Sequence, residues 1–306
     1  MGKKLRTLGL VFLMLMIVSM GVLAEAKSNN ALVIQTDFGV KDGAVSAMKG
    51  VAFGVDSDIR VFDLTQEIPA YNIWEASYRL MQTAPYWPKG TVFVSVVDPG
   101  VGTERKSIVV KTKTGQFFVT PDNGTLTLIS EIMGIAEVRE IDENVNRLPG
   151  SKDSYTFFGR DVYAYTGARL ASGKISYEQV GPVLKQDLVK IPYQKASVNG
   201  NVAVGTIPIL DIQYGNVWTN IGTDVVAKLG IKVNDILKVQ VFQAGKLVYE
   251  GQMPFANTFG DVPEGKPLAY YNSLMELSFA LNMDSFSTVN KVFSGPEWSV
   301  KVEKVN

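Results

Sequence analysis

The chain contains no cysteine and no histidine among its 306 residues. The first absence excludes disulfides, thiolate nucleophiles and thiolate-held iron–sulfur clusters. The second removes the common zinc sites. An all-oxygen metal site would need a spaced acidic loop, and none argues for one, so neither a metal nor a cofactor is expected. Charge of neither sign is in excess: 30 basic and 30 acidic residues give a formal net charge of zero. Nothing therefore suggests a nucleic-acid surface. The sequence shows no internal repeat and no low-complexity tract.

What is present is a globular composition, with 46% hydrophobic and 20% charged residues, sufficient for one large core or two smaller ones. At the N-terminus Lys3, Lys4 and Arg6 precede the apolar run Leu8–Ala24 and then Ala24-Glu25-Ala26. This is the order of a secretory signal peptide, residues 1–26. The run of 17 residues is short for a spanning helix. The expectation is a cleaved signal, a periplasmic or extracellular location and no stable membrane anchor. No cysteine follows, so no lipid is attached there. Removal of the segment leaves 27 basic and 29 acidic residues, a formal charge of −2.

Downstream, β-branched apolar strands alternate with helical periodicity. Residues 31–36 read as a strand ended by Asp37, and 43–54 as a helix with Val45, Met48 and Ala52 inward. Residues 59–63 form a second expected strand, 71–83 a helix, and 91–97 a third strand whose nearly continuous apolar run suits burial on both faces. A hairpin over 107–120 and short helices over 126–134 and 160–171 complete an N-terminal α/β domain, residues 30–190, of three-layer character. Past Gly181-Pro182 the pattern turns to short strands. A C-terminal small all-β, barrel-like domain is expected over 196–304.

Asp37, Asp63 and Asp98 recur at the ends of the first three expected strands. That edge of an open α/β sheet is where ligands bind, although a strand-end acid can also merely cap the next helix. The loop from Asp98 to Arg105 carries Gly100 and Gly102, so it can turn tightly and bring the two ends together. The pair either orients a hydroxyl or water, or only braces the loop. Pro121-Asp-Asn-Gly124 reads as a turn. Between Asp211 and Asn220, a carboxylate, the Asn216 amide and the flat rings of Tyr214 and Trp218 suit a purine and its ribose, with Trp218 equally at home in a core. Asn272, Ser273, Glu276 and Asn282 lie in an expected late helix, as hydrogen-bonding groups or a solvated face.

These segments together, Thr36-Asp-Phe-Gly39, Val96-Val-Asp-Pro-Gly-Val-Gly-Thr-Glu-Arg105, Pro121-Asp-Asn-Gly124, Thr156-Phe-Phe-Gly-Arg-Asp161, Gly215-Asn-Val-Trp-Thr-Asn-Ile221 and Tyr271-Asn-Ser273, resemble the S-adenosylmethionine hydroxide adenosyltransferases, relatives of the fluorinases and chlorinases. The resemblance covers residues 31 to 303. It implies a homotrimer with each ligand between the N-domain of one subunit and the C-domain of the next. It also implies attack at C5′ of the adenosyl group with release of methionine, S-adenosylmethionine being substrate rather than cofactor.

Carried onto this chain, the resemblance makes Asp37 the carboxylate on the ribose diol and Asp211 the partner of the methionine ammonium, with Ser273 near its carboxylate. Asn216 would contact the adenosine and Phe259 flank the adenine; Glu276 and Asn282 belong to the same substrate-binding set. Asp98 and Arg105 would be two members of an Asp-Arg-His set that handles water. Asp98 argues against a fluorinase, and Gly159 lacks that enzyme's halide-site serine, as the chlorinases do. Two histidines of the family are replaced, by Phe158 and by Gln66. Phenylalanine can neither take a proton nor make a strong hydrogen bond. The readings that follow are a slow or altered S-adenosylmethionine hydrolase, an exported non-catalytic nucleoside-binding protein, or a halogenase-like enzyme acting at C5′.

Overall fold

The computed structural model describes residues 29–305, so the signal-like segment 1–26 lies outside the described residues. The chain begins with β1 (Ala31–Thr36), α1 (Ala44–Val55), β2 (Arg60–Thr65), α2 (Ile73–Thr83) and β3 (Val92–Val96). It continues through β4 (Ser107–Thr112), β5 (Phe117–Pro121), α3 (Thr127–Ile132) and β6 (Ile135–Glu140). A π-helical turn, Gly159–Ala164, then leads into α4 (Tyr165–Ala171). The six strands form one sheet in the order β2-β1-β3-β5-β4-β6. Its first four strands are parallel, and β4 runs antiparallel to both β5 and β6.

Strand alternation sends alternate side chains to opposite faces. Leu32, Ile34, Val92, Val94 and Val119 pack with Met48 and Ala52 of α1 and Ala168 and Leu170 of α4. Val33, Phe93 and Phe118 pack on the other face with Leu80 of α2 and Ile129 of α3. The result is the three-layer arrangement expected. Asp63 is a departure: β2 runs on to Thr65, which leaves Asp63 within the strand, paired with Lys49 at 2.7 Å rather than standing at the strand's C-terminal end.

The second domain holds β7 (Ser197–Asn199), β8 (Val202–Thr206), β9 (Ile209–Asp211), β10 (Asn216–Gly222), α5 (Thr223–Lys228), β11 (Ile236–Gln243) and β12 (Lys246–Pro254). It ends with β13 (Pro267–Tyr271), β14 (Glu276–Leu281), α6 (Phe286–Asn290) and β15 (Trp298–Lys304). Its strands fall into two antiparallel sheets, β12-β11-β15-β8-β7 and β13-β14-β10-β9, and neither is closed on itself. The barrel-like expectation thus becomes two sheets sharing one apolar core that includes Val217, Phe279, Val239 and Val300. The chain passes from one sheet to the other at Ile207-Pro208, where proline has no N–H to continue a ladder.

The late helix is absent. Asn272 Oδ1 accepts from the backbone N–H of Leu274 (2.8 Å) and Glu276 (3.1 Å), and Met275 takes a positive φ of 61°. This tight turn starts β14, in which Leu277, Phe279 and Leu281 alternate inward with the period of a strand.

The two domains are fastened together. The Val189 and Ile191 N–H groups donate to Asp122 Oδ1 and Thr127 Oγ1, both at 3.0 Å, on the first domain. The Gln194 carbonyl accepts from Thr206 Oγ1 (2.8 Å) and Asn220 Nδ2 (2.9 Å) on the second. Beside this connection Trp74 and Tyr78 of α2 pack on Ile209 and Trp218, and Trp74 Nε1 donates to the Pro208 carbonyl at 2.9 Å. Among the described residues no helix is long and apolar enough to cross a membrane.

Candidate active site

Asp37 follows β1 at the C-terminal edge of the sheet, where backbone and side chain are both held. Thr36 Oγ1 donates to Gln66 Oε1 at 2.6 Å and accepts from the Phe38 N–H at 3.2 Å. Gln66 is buried, its amide nitrogen donates to the Ile34 carbonyl (3.2 Å) and Asp63 Oδ1 (2.8 Å), and its own carbonyl accepts from Gly39 N–H at 2.7 Å. Gln66 therefore acts as a clamp on the turn that carries Asp37. On the other side Asp37 Oδ2 accepts from the N–H of Tyr71, whose φ is 68°.

Asp98 leaves the end of β3 and meets Arg105 across the glycine-containing loop. Arg105 Nε lies 3.0 Å from both carboxylate oxygens and Nη2 lies 2.5 Å from Oδ2. Both side chains are nearly enclosed, 11% and 5% exposed, which puts this pair outside the class of solvated ion pairs worth little. Arg105 Nη1 donates to Ser107 Oγ at 3.1 Å, and that hydroxyl contacts Tyr163 OH at 3.1 Å. Burial is the strongest single influence and opposes the charge on Arg105, but its hydrogen bonds to Asp98 together with the nearby Tyr163, Asp98 and Glu143 outweigh it and leave the guanidinium more firmly protonated than usual. Gly102 earns its place: its φ is 76° and a Cβ there would stand 2.8 Å from the Tyr155 carbonyl oxygen.

Asp37 and Asp98 line one cavity of about 250 Å³, walled by the rings of Phe38, Tyr71, Phe157 and Phe158. Gly159 closes its floor. A Cβ on Gly159 would meet Phe38 at 3.1 Å and Val96 at 3.4 Å, so a serine there would require Phe38 to move. Phe158 is buried, and Arg105 lies over its ring at 4.9 Å from the centre. A second arginine, Arg147, lies over the same ring at 4.8 Å. The segment carrying Phe157 and Phe158 enters the π-helical turn, in which Asp161 is fully buried and takes two bonds from Arg160, at 2.6 and 3.1 Å.

The C-terminal candidates are not in this cavity. Asp211 and Asn216 face each other across β9 and β10, with Asn216 Nδ2 3.3 Å from Asp211 Oδ2. Phe259 is 41% exposed and rests on Tyr270 at 4.9 Å between ring centres, and Ser273 is exposed. Tyr214 also faces solvent, whereas Trp218 is core at the domain seam. Glu276 is engaged elsewhere: Tyr78 OH donates to it at 3.3 Å, and burial pushes its carboxyl up to about 7. Asn282 donates to the Val262 carbonyl at 2.8 Å and pairs through its backbone with Lys266, which fastens the open end of the β13–β14 ladder. Two residues that pack behind the site escaped the sequence reading. Gln66 registered only as a missing histidine, and Arg147, a single arginine in an irregular stretch, carried no signal.

Within one chain the site is therefore a cavity holding two carboxylates, one of them gripped by an arginine, with aromatic walls. It can seat a flat, partly apolar ligand, hold a diol on Asp37 and orient a water or hydroxyl on Asp98. Residues 32–181 match the family model of the SAM hydroxide adenosyltransferase N-terminal domain, and 205–299 that of its C-terminal domain. The chain is 36% identical over 226 residues to the (R)-S-adenosyl-L-methionine hydrolase of Methanocaldococcus jannaschii, covering 72% of this chain and 77% of that protein. It is 26% identical over 291 residues to the fluorinase of Actinopolyspora mzabensis, covering 87% of this chain and 95% of that protein. Among solved structures, an uncharacterized conserved protein from Thermotoga maritima superposes with a TM-score of 0.81 at 35% identity, covering 89% of this chain and 99% of that one.

Proposed function

The chain belongs to the SAM hydroxide adenosyltransferase family, and from that premise we propose that it hydrolyses S-adenosylmethionine to adenosine and methionine. The observation that carries this reading is the enclosed Asp98–Arg105 pair on the wall of a cavity that Asp37 also lines. Asp37 holds the ribose diol. Asp98, fixed by Arg105, orients the attacking water. Water oxygen bonds to C5′ as the C5′–sulfur bond breaks. The electron pair goes to the sulfonium, which leaves as the neutral thioether of methionine, and the proton of the attacking water passes to solvent.

The leaving group is already activated, so alignment matters more than proton removal. Arg105 stays protonated and Phe158 accepts no proton, so no strong base stands beside the water. A general base is worth about 10²–10⁴-fold, and the reaction is correspondingly slow. The methionine and adenine groups are bound by Asp211, Ser273, Asn216 and Phe259 of a neighbouring copy in a homotrimer. Support comes from their position: they lie outside the cavity of their own chain, and Tyr71 at the cavity and Tyr214 and Phe259 on the second domain leave large aromatic surface open.

Phe158 favours a second reading, an exported protein that binds an adenosyl compound without turning it over. Export, proposed from residues 1–26, would place the protein where S-adenosylmethionine is scarce, and another adenosyl ligand would then be its natural one. Chromatography of S-adenosylmethionine incubated with the protein separates the two. Adenosine and methionine in equal amounts support hydrolysis. Saturable binding by calorimetry with no product above background supports the second reading, and a chlorinated nucleoside formed on adding chloride would indicate a halogenase.

A further inference from the structure

Arg147 belongs to no function described so far, yet its environment is built. Its side chain is 10% exposed and pairs with Glu143. Nε donates to the Ser151 carbonyl at 3.1 Å, and Nη2 donates to the Ser154 carbonyl. These bonds tie down the turn that leads into Thr156, where the cavity wall begins in this segment. The guanidinium then lies over Phe158 at 4.8 Å, while Arg105 lies over the same ring at 4.9 Å. Two like charges share one aromatic ring. Each is offset by its own carboxylate, Asp98 for Arg105 and Glu143 for Arg147. Glu143 also favours the charge on Arg105, and Tyr163 OH contacts Ser107 beside it.

We propose that Arg147 is a positioning residue for the water-handling pair. It fixes Phe158 through its stacking and its two carbonyl bonds, and Phe158 in turn fixes the guanidinium of Arg105 against Asp98. The inference rests on the reading of Asp98 and Arg105 as the water-handling pair. An aromatic face attracts a guanidinium, and the attraction strengthens when both are desolvated. Phenylalanine at 158 thus keeps the arginine in place without itself exchanging a proton.

Because the wild-type chain has no histidine, Phe158→His places a single imidazole between two guanidinium groups, and its NMR titration can be followed alone. No substrate is needed, so the outcome is independent of whether the protein hydrolyses anything. Burial at this position, with the two guanidinium groups nearer the ring than their carboxylates, should hold the imidazole pKa below its ordinary value of about 6.5. Adding Arg147→Gln should raise it by about one pH unit, whereas Arg147→Lys, which keeps the charge, should leave it low. In the wild-type background R147Q should lower the rate of adenosine release about tenfold at saturating S-adenosylmethionine, with KM changed less than twofold. An F158H imidazole that titrates at or above 6.5, or one that responds equally to Gln and Lys at 147, would overturn the proposal. So would an R147Q protein that retains the wild-type rate.

Discussion

Glu276 is set to make the stability of this protein fall as pH rises. It begins β14, yet its carboxyl reaches across the domain seam to Tyr78 of α2, whose hydroxyl donates to it at 3.3 Å. Burial raises the carboxyl from an ordinary 4.5 to about 7, against the opposing pull of the Tyr78 hydrogen bond. Between those values the folded chain holds a proton that the unfolded chain has lost. Folding is then linked to proton uptake, so stability is highest below about pH 4.5 and declines until about pH 7. At 1.36 kcal/mol per pH unit the decline amounts to about 3 kcal/mol. Glu276→Gln supplies the neutral shape without the proton. Its melting temperature should match wild type near pH 5 and exceed it by roughly 5 °C at pH 8, given about 2 °C per kcal/mol for a chain of this size. Calorimetric melts of both proteins at the two pH values decide the matter. A constant difference across pH, or an E276Q protein less stable at pH 8, would refute the reasoning. Arg79, next to Tyr78 on α2, offers little compensation, since it is committed to Glu75 at 3.2 Å and to Gln82 at 3.0 Å.

Two further outcomes concern the reaction. Phe158→His restores a proton acceptor beside Asp98 and should raise adenosine formation by about 10²-fold, most strongly above the pKa of the new imidazole; stopped assays across pH 5–9 would record the rise. Asp211→Ala removes a charge-assisted partner of the ligand ammonium and should weaken S-adenosylmethionine binding about 10- to 100-fold by calorimetry, with the melting curve little changed. Unaltered binding in D211A would remove the ammonium assignment.

Much of the fold was legible in the sequence because the buried strands are apolar and β-branched, and α1 and α2 carry helical periodicity. Other elements hid for physical reasons. Strand β6, Ile135–Glu140, is an edge strand with alternating charged residues, so it lacks the apolar run that betrays its neighbours. The segment from Asn272 to Asn282 is dense in polar groups and mimics a helix face until the alternation of Leu277, Phe279 and Leu281 is weighed. Asp63 was misplaced because its strand extends two residues further than its apolar pattern does. In the site, Asp98 and Arg105 were readable from the glycines between them. Arg147 was not: its partners are the carbonyls of Ser151 and Ser154 and the face of a ring, none of which leaves a spacing in the sequence.

The central claim is that this cavity turns over S-adenosylmethionine through a water held by Asp98. The most direct measurement is turnover in ¹⁸O-labelled water by the wild-type protein and by Asp98→Asn, with binding measured alongside. The account predicts adenosine labelled at its 5′-hydroxyl and an equal amount of methionine, with the rate falling about 10²-fold in D98N while binding stays within a few fold of wild type. Wild-type protein that binds S-adenosylmethionine saturably without releasing adenosine, or a D98N protein that works at the wild-type rate, would contradict it.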